Sequence, residues 1–383
     1  MPSSGLSSSS YSASPQQRLT AVVSHLRRER KLKVVVTRDL GPDVMPILKQ
    51  WGDIELVTWP EDRACERQWL LDNIPGASGI IVMLTDKVDD ELLEKAGRQL
   101  RIVSTMSVGY EHVDLRAISR AGVRLGFTPD VLTDAVADLS VMLALMASRN
   151  AGQTASIVQA GNWPNSPWAP FKFCGPQLST SQFSPTRTVG FLGFGRIARA
   201  TLARLIPFGI THCIYTTRSS SSSETDEDPT LKPYLSATNP LSSLKSITRV
   251  PLPTLAVESD VLFVLAPGGP ETHHIVGEEF LKGMKKSAVL VNTARGTLVD
   301  SEALARALRE EWIWGAGLDV VEGEPKIGVD HVLLKEPRCV ILPHIASATF
   351  ETRRGMATLA AKNLLAALDG GDMPSELDLK GRA

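Results

Sequence analysis

Cysteine is scarce in this 383-residue chain: Cys65, Cys174, Cys213 and Cys339 stand far apart, with no CxxC pair. That pattern gives no case for a disulfide framework or a thiolate zinc site, and it fits reduced thiols in an intracellular compartment. An excess of either charge is lacking too. The formal net charge is −1, so nothing global attracts nucleic acid or an anionic membrane surface. No apolar run approaches the ~20 residues that a membrane-spanning helix needs. What remains is a chain long enough for two ordinary domains, with 43% apolar residues to fill their cores.

Residues 1–31 stand apart. MPSSGLSSSSYSAS is low-complexity and serine-rich, and the stretch after it is basic, with its first acidic residue at Glu29. We read a disordered tail and a cytoplasmic protein. A serine-rich, arginine-bearing, acid-poor start also describes a mitochondrial transit peptide, which is the alternative.

From Lys33 short β-branched runs alternate with helix-like segments: KVVVT (33–37), IELVT (54–58), GIIVM (79–83) and RIVST from Arg101. This alternation predicts parallel βαβ units. Residues 134–150 place Val136, Leu139, Leu143 and Met146 on one face of a long helix. Residues 161–186 then lose all periodicity, with five prolines and two tryptophans, and so long an irregular excursion is usually functional or packed on something. A second α/β run follows, with strands expected at 187–192, 211–216, 261–265, 288–291, 315–320 and 338–342. The polar insertion 219–240 is expected to be a largely disordered surface loop. An amphipathic helix over 351–371 closes the pattern. The fold class is therefore α/β, built of parallel βαβ units.

Gly193-Phe194-Gly195-Arg196-Ile197-Ala198 matches the GxGxxG/A turn, follows an apolar strand and opens a helix. Gly193 would allow the tight turn and Gly195 the approach of a pyrophosphate. The N–H groups from Arg196 and Ile197 onward would hold it. Enzymes that take NAD place an acid at the end of the second strand to bond the ribose 2′-hydroxyl. Here THCIYTTRSSSSS has no acid before Glu224. Thr217, Arg218 and Ser219 offer hydroxyls and a guanidinium suited to a 2′-phosphate, which favours NADPH, with NADH the alternative. Thr272, Thr293 and Asp319 are further candidate contacts to the cofactor; Asp319 would hold the nicotinamide amide or cap a strand end.

Three residues end or follow apolar strand-like runs: Arg295 in AVLVNTARG, Glu324 in GLDVVEGEP and His344 in CVILPHIAS. Parallel strands point their carboxyl ends at one crevice, where ligands bind. A guanidinium fork suits a carboxylate, and an imidazole beside a carboxylate suits proton transfer. With the dinucleotide turn, the set suggests hydride transfer to or from a small 2-oxo or 2-hydroxy acid. His112 is expected to be structural. His273 and His274 are adjacent, so on a helix or strand they should diverge; no acidic or cysteine partner is near in sequence, and no metal site is expected.

These residues lie in motifs that resemble the D-isomer-specific 2-hydroxyacid dehydrogenase family, and in it the eukaryotic glyoxylate reductase/hydroxypyruvate reductase branch. The motifs are STMSVGYEHVD (104–114), GFTPDVLTDAVADL (126–139), VGFLGFGRIARA (189–200), VNTARGTLVD (291–300), GLDVVEGEP (317–325), ILPHIASAT (341–349) and MPSEL (373–377). The resemblance implies two Rossmann-like domains with a cleft between them: a discontinuous, flavodoxin-like substrate domain (32–133 and 345–383) and a dinucleotide-binding domain (134–344). It makes Arg295 the substrate anchor, Glu324 the partner of the histidine and His344 the acid/base. It also implies that Val108 and Gly109 bind the substrate carboxylate through N–H groups and that Leu84 lines the pocket. The loop 150–186 would embrace a second subunit in a homodimer, sending Trp168, or else Trp163, into the partner's site. The expected activity is NADPH-dependent reduction of glyoxylate and hydroxypyruvate; the alternatives are another substrate preference or a corepressor-like, dinucleotide-regulated binding module. Two departures stand out: Asp138 where the family commonly has Glu, and longer loops at 161–186 and 219–254.

Overall fold

The computed structural model describes residues 31–217, 229–238 and 241–380. Its contacts divide the chain into two units, one of residues 1–128 with 354–383 and one of residues 129–353. These borders fall after Thr128 and Arg353, rather than after 133 and 344. The helix Thr133–Ser148 belongs to the second unit, where it packs on the strands Val289–Asn292 and Gly315–Leu318 and on the helix Arg196–Leu205.

The first unit is a five-stranded parallel sheet of β1 (Leu32–Val36), β2 (Ile54–Thr58), β3 (Gly79–Val82), β4 (Ile102–Thr105) and β5 (Arg124–Gly126), in the order β2-β1-β3-β4-β5. That is the flavodoxin-like order. β3 and β4 are buried along their whole length, as expected of strands covered by helices on both faces. Val35, Ile80, Val82 and Val103 point to one face with Leu70, Leu71 and Leu92. Val34, Val36, Ile81 and Ile102 point to the other, against Ala357, Ala360, Ala361 and Leu364 of the final helix Phe350–Leu368. The end of the chain thus completes the core that its beginning starts. Buried Asn363 fixes the join: its Nδ2 donates to Phe127 O at 3.0 Å, and its Oδ1 accepts from Ser375 N at 2.9 Å.

The second unit has seven parallel strands: β6 (Thr188–Leu192), β7 (His212–Thr216), β8 (Ser246–Arg249), β9 (Val261–Val264), β10 (Val289–Asn292), β11 (Gly315–Leu318) and β12 (Cys339–Ile341). Their order, β12-β11-β10-β9-β6-β7-β8, is the dinucleotide-binding order extended by one strand. One face packs on the helices Leu252–Glu258, Glu278–Gly283 and Ser301–Arg309. The other, through Phe191 and Phe263 with ring centroids 5.3 Å apart, packs on Thr133–Ser148 and Arg196–Leu205.

Several expectations need correction. β5 and β8 were not legible, being three or four residues long with few apolar side chains. A helix Ala151–Gln159 precedes the irregular segment. The insertion 219–240 is not wholly a free loop: residues 218–228 and 239–240 lie outside the described residues, but Leu231, in the short helix Pro229–Tyr234, is buried in the core. Residues 1–30 also lie outside them. Among the described residues no helix is long and apolar enough to cross a membrane.

Candidate active site

β10, β11 and β12 are neighbours in register, so the segments after their carboxyl ends lie side by side. Arg295 follows β10. Asn292, fully buried at the strand end, ties that turn: its Oδ1 accepts from Ala294 N at 3.0 Å and its Nδ2 donates to Arg295 O at 2.9 Å. The Arg295 guanidinium donates to Ala294 O at 2.7 Å. Gly296 brings this turn onto the next one, since a Cβ there would collide with the backbone of Val321 and Glu322.

Glu324 lies in the turn after β11. Its Oε2 accepts from Val321 N at 3.1 Å, and its Oε1 is 2.7 Å from Nδ1 of His344. Each of the two side chains is about one-third exposed. His344, after β12, has φ 56°, a left-handed conformation that is uncommon outside glycine. Asp319 holds it there. The Asp319 carbonyl accepts from His344 N at 2.9 Å, Oδ1 from Ile345 N at 2.8 Å, and Oδ2 from Ala346 N at 2.7 Å. Burial pushes the Asp319 carboxyl above its ordinary value, and these N–H bonds and the nearby His344 pull the other way. Among the described residues the Nε2 of His344 has no hydrogen-bond partner, so that nitrogen can exchange a proton with a ligand.

The glycine turn after β6 has the form that a pyrophosphate needs. Gly193 has φ 88°, and a Cβ there would stand 2.7 Å from both N and Cα of Ala266, so both conformation and space require glycine. Gly195 has open space around it and no side chain caps the helix Arg196–Leu205, which leaves first-turn N–H groups for an anion. The Arg196 side chain pairs with Asp130, Nε to Oδ1 2.6 Å, so this residue, like Ile197, offers its N–H. Thr217 O accepts from Arg249 at 3.1 Å; Arg218 and Ser219 lie outside the described residues. Thr272 is buried, its hydroxyl donating to Pro267 O at 3.0 Å, and the Thr293 hydroxyl is 2.8 Å from that of Ser140. Asp319 is committed to the His344 loop, as described, so its carboxylate acts first on protein backbone.

Leu84, Val108 and Gly109 belong to the first unit, in loops beyond the carboxyl ends of β3 and β4. There the Ser107 hydroxyl donates to Gly109 O at 2.6 Å, and His112 Nε2 is 2.9 Å from the Thr105 hydroxyl. Trp163 and Trp168, on the irregular segment, are 67% and 86% exposed.

His273 and His274 behave otherwise than expected. They do not diverge: their rings stack with centroids 3.9 Å apart. They do have an acidic partner, Glu322, which bonds both, at 3.2 and 2.7 Å. The left-handed backbone of His274, φ 51°, swings two consecutive side chains to one side, and the Gly296 contact brings the Glu322 turn nearby. The bond from His274 holds the Glu322 carboxyl below its ordinary value.

Sequence reasoning missed Asn292, and the signal was present: an asparagine ending a strand before small residues commonly bonds the backbone of its own turn. It also missed Ser140, whose partner Thr293 lies far along the chain.

Comparison with known proteins points to one family. Residues 141–346 match the family profile described as "D-isomer specific 2-hydroxyacid dehydrogenase, NAD binding domain". The chain is 40% identical over 354 residues to the glyoxylate reductase/hydroxypyruvate reductase of Mus musculus, covering 92% of this chain and 100% of that one. It is 39% identical over 348 residues to the glyoxylate reductase of Thermofilum pendens, covering 90% and 94%. Among solved structures it is similar to an NADPH-dependent glyoxylate/hydroxypyruvate reductase from Sinorhizobium meliloti in complex with NADP and malonate. That similarity has a TM-score of 0.73 and 30% identity, and covers 91% of this chain and 97% of that one.

Proposed function

The chain belongs to the D-isomer-specific 2-hydroxyacid dehydrogenases, and on that premise we propose that it reduces glyoxylate and hydroxypyruvate with NADPH to the corresponding 2-hydroxy acids, the D isomer where C2 becomes a stereocentre. The 2.7 Å pair of Glu324 and His344 beside the Arg295 turn carries this proposal, because binding alone would need no acid/base pair. The names of the similar enzymes support the substrate class. The lack of an acid between Thr217 and Ser223 supports NADPH.

When bound, the reduced nicotinamide supplies the hydride that reaches the substrate's C2. The chain's own residues do the rest. Arg295 holds the substrate carboxylate through its planar fork and stabilises charge on the carbonyl oxygen as it develops. His344, protonated, gives its Nε2 proton to that oxygen; Glu324 at Nδ1 fixes the ring and balances the imidazolium. Asp319 keeps the histidine loop in its left-handed form. We assign the pyrophosphate to the N–H groups at Gly195, Arg196 and Ile197. The substrate carboxylate takes further N–H bonds from Val108 and Gly109, with Leu84 in the substrate's surroundings. Of the remaining candidates, Thr217, Arg218 and Ser219 take the 2′-phosphate, while Thr272 and Thr293 act through backbone and through the packing of their turns.

We further propose a homodimer built on residues 150–186, with Trp168, or else Trp163, reaching the partner's site. The four free thiols support a reducing compartment, and the cytoplasm is our proposed location. Steady-state rates with glyoxylate, hydroxypyruvate and pyruvate, each with NADPH and NADH, test the activity. Glyoxylate and hydroxypyruvate should turn over fastest and with NADPH. Coenzyme binding without turnover of any 2-oxo acid would favour a dinucleotide-regulated binding module instead.

A further inference from the structure

A second cluster of ligating side chains stands on the turn that carries Glu324. The Nε2 atoms of His273 and His274 bracket the Glu322 carboxylate at 3.2 and 2.7 Å, one to each oxygen. Consecutive residues of a helix or strand cannot aim at one point in this way. Here the left-handed backbone of His274 does it, fixed by the bond from His274 N to Thr297 O at 2.8 Å and by the bridge between Val276 and Val299. On the far side of the His274 ring, Nδ1 lies 3.8 Å from Asp300 Oδ2. That is beyond hydrogen-bond distance; metal-bound histidines usually donate their other ring N–H to a carboxylate, and a shift of under ~1 Å would let Asp300 accept it.

We propose that His273, His274 and Glu322 form a site for a divalent transition metal, zinc by chemistry, separate from the His344 pair. Two imidazoles and one carboxylate are a recurrent three-ligand zinc set, with water in the fourth position. Ligand atoms about 2.0–2.1 Å from a tetrahedral ion stand roughly 3.3 Å from one another, and the donor atoms of this cluster all lie within 4.8 Å of one another. The side chains are 51%, 34% and 35% exposed, so an ion has an open path and small rotations suffice to seat it. Bound metal would join two segments that matter to the active site: Glu322 is two residues before Glu324, and His273 directly follows Thr272. The site would thus brace the acid/base turn from behind. It lies beyond the proposed reductase activity and does not depend on it.

The test is calorimetric titration of chelator-treated full-length protein with Zn2+ alone. One ion should bind per chain. His274→Ala and Glu322→Gln should each weaken that binding by at least about tenfold, the loss seen even for outer-sphere partners. Cys174→Ser and His344→Asn, which remove competing ligands elsewhere, should leave it in place. Zn2+ should also raise the thermal midpoint of wild type but not of His274→Ala. If His274→Ala does not melt cooperatively without metal, His273→Ala at the more exposed ring should give the same loss. Absence of stoichiometric binding overturns the proposal, as does binding that survives the His274 and Glu322 changes or disappears with Cys174→Ser or His344→Asn.

Discussion

Nδ1 of His344 lies 2.7 Å from Oε1 of Glu324, two residues brought together by the carboxyl ends of adjacent strands. The pair fixes the imidazole by one nitrogen only: Nδ1 is held by the carboxylate, and Nε2, without a protein partner among the described residues, is the one the proposed function assigns to the substrate.

On the proposed function, Glu324→Gln should lower kcat for reduction. The carboxylate meets Nδ1 of His344 at 2.7 Å, and a neutral amide gives that ring no counter-charge and can turn its NH2 group toward it. If His344 gives the proton, kcat should fall by about tenfold or more, with chemistry shown to be rate-limiting, while affinity for the coenzyme changes little. A variant with wild-type kcat would show that Glu324 does not serve the histidine.

Asp319→Asn should act through His344. The carboxylate accepts two backbone N–H groups, and an amide can accept only one while setting its own NH2 against the other. Leaving a buried donor unsatisfied costs about 1–3 kcal/mol. Stability should fall by that amount and kcat should fall with it, while affinity for the coenzyme changes little. A variant with wild-type kcat would remove Asp319 from the positioning of the histidine.

For coenzyme choice, Arg218→Asp should weaken use of NADPH more than use of NADH. A charge-assisted hydrogen bond contributes roughly 1.5–3 kcal/mol, so the two effects should differ about tenfold or more in kcat/KM. A wild type that already prefers NADH would contradict the assignment of Thr217, Arg218 and Ser219 to a 2′-phosphate.

The irregular segment exposes Trp163, Trp168, Phe171 and Phe183, the last two each 90% accessible. A patch of that kind is expected to be covered, and a two-fold, self-complementary dimer would cover it. Sedimentation at assay concentrations should show a dimer, and Trp168→Ala should alter KM. A fully active monomer would remove both the interface and any tryptophan donated by a partner.

Most of the fold was legible because both sheets are parallel and central strands such as β3, β4, β9 and β10 are buried along their length, so they read as short, continuous apolar runs. β5 and β8 escaped because a three- or four-residue strand at a sheet edge needs little apolar sequence. The ends of β10, β11 and β12 were legible from Arg295, Glu324 and His344, whose chemistry is conspicuous after an apolar run. The role of Asp319 was not, since its two bonds go to backbone N–H groups that carry no residue-type signal. The His273–His274–Glu322 cluster was misread for a related reason: nothing in the local pattern announces a left-handed histidine, and the acidic partner lies 48 or more residues away in sequence.

The most direct measurement is glyoxylate-dependent oxidation of NADPH by wild type and by His344→Gln, with coenzyme binding followed separately. Wild type should turn over, and the variant should lose about 10²–10⁴-fold in kcat, the usual worth of a positioned acid/base group, while binding NADPH as before. An inactive wild type that binds NADPH, or a His344→Gln variant as fast as wild type, would contradict the assignment of this site to 2-oxo acid reduction through His344.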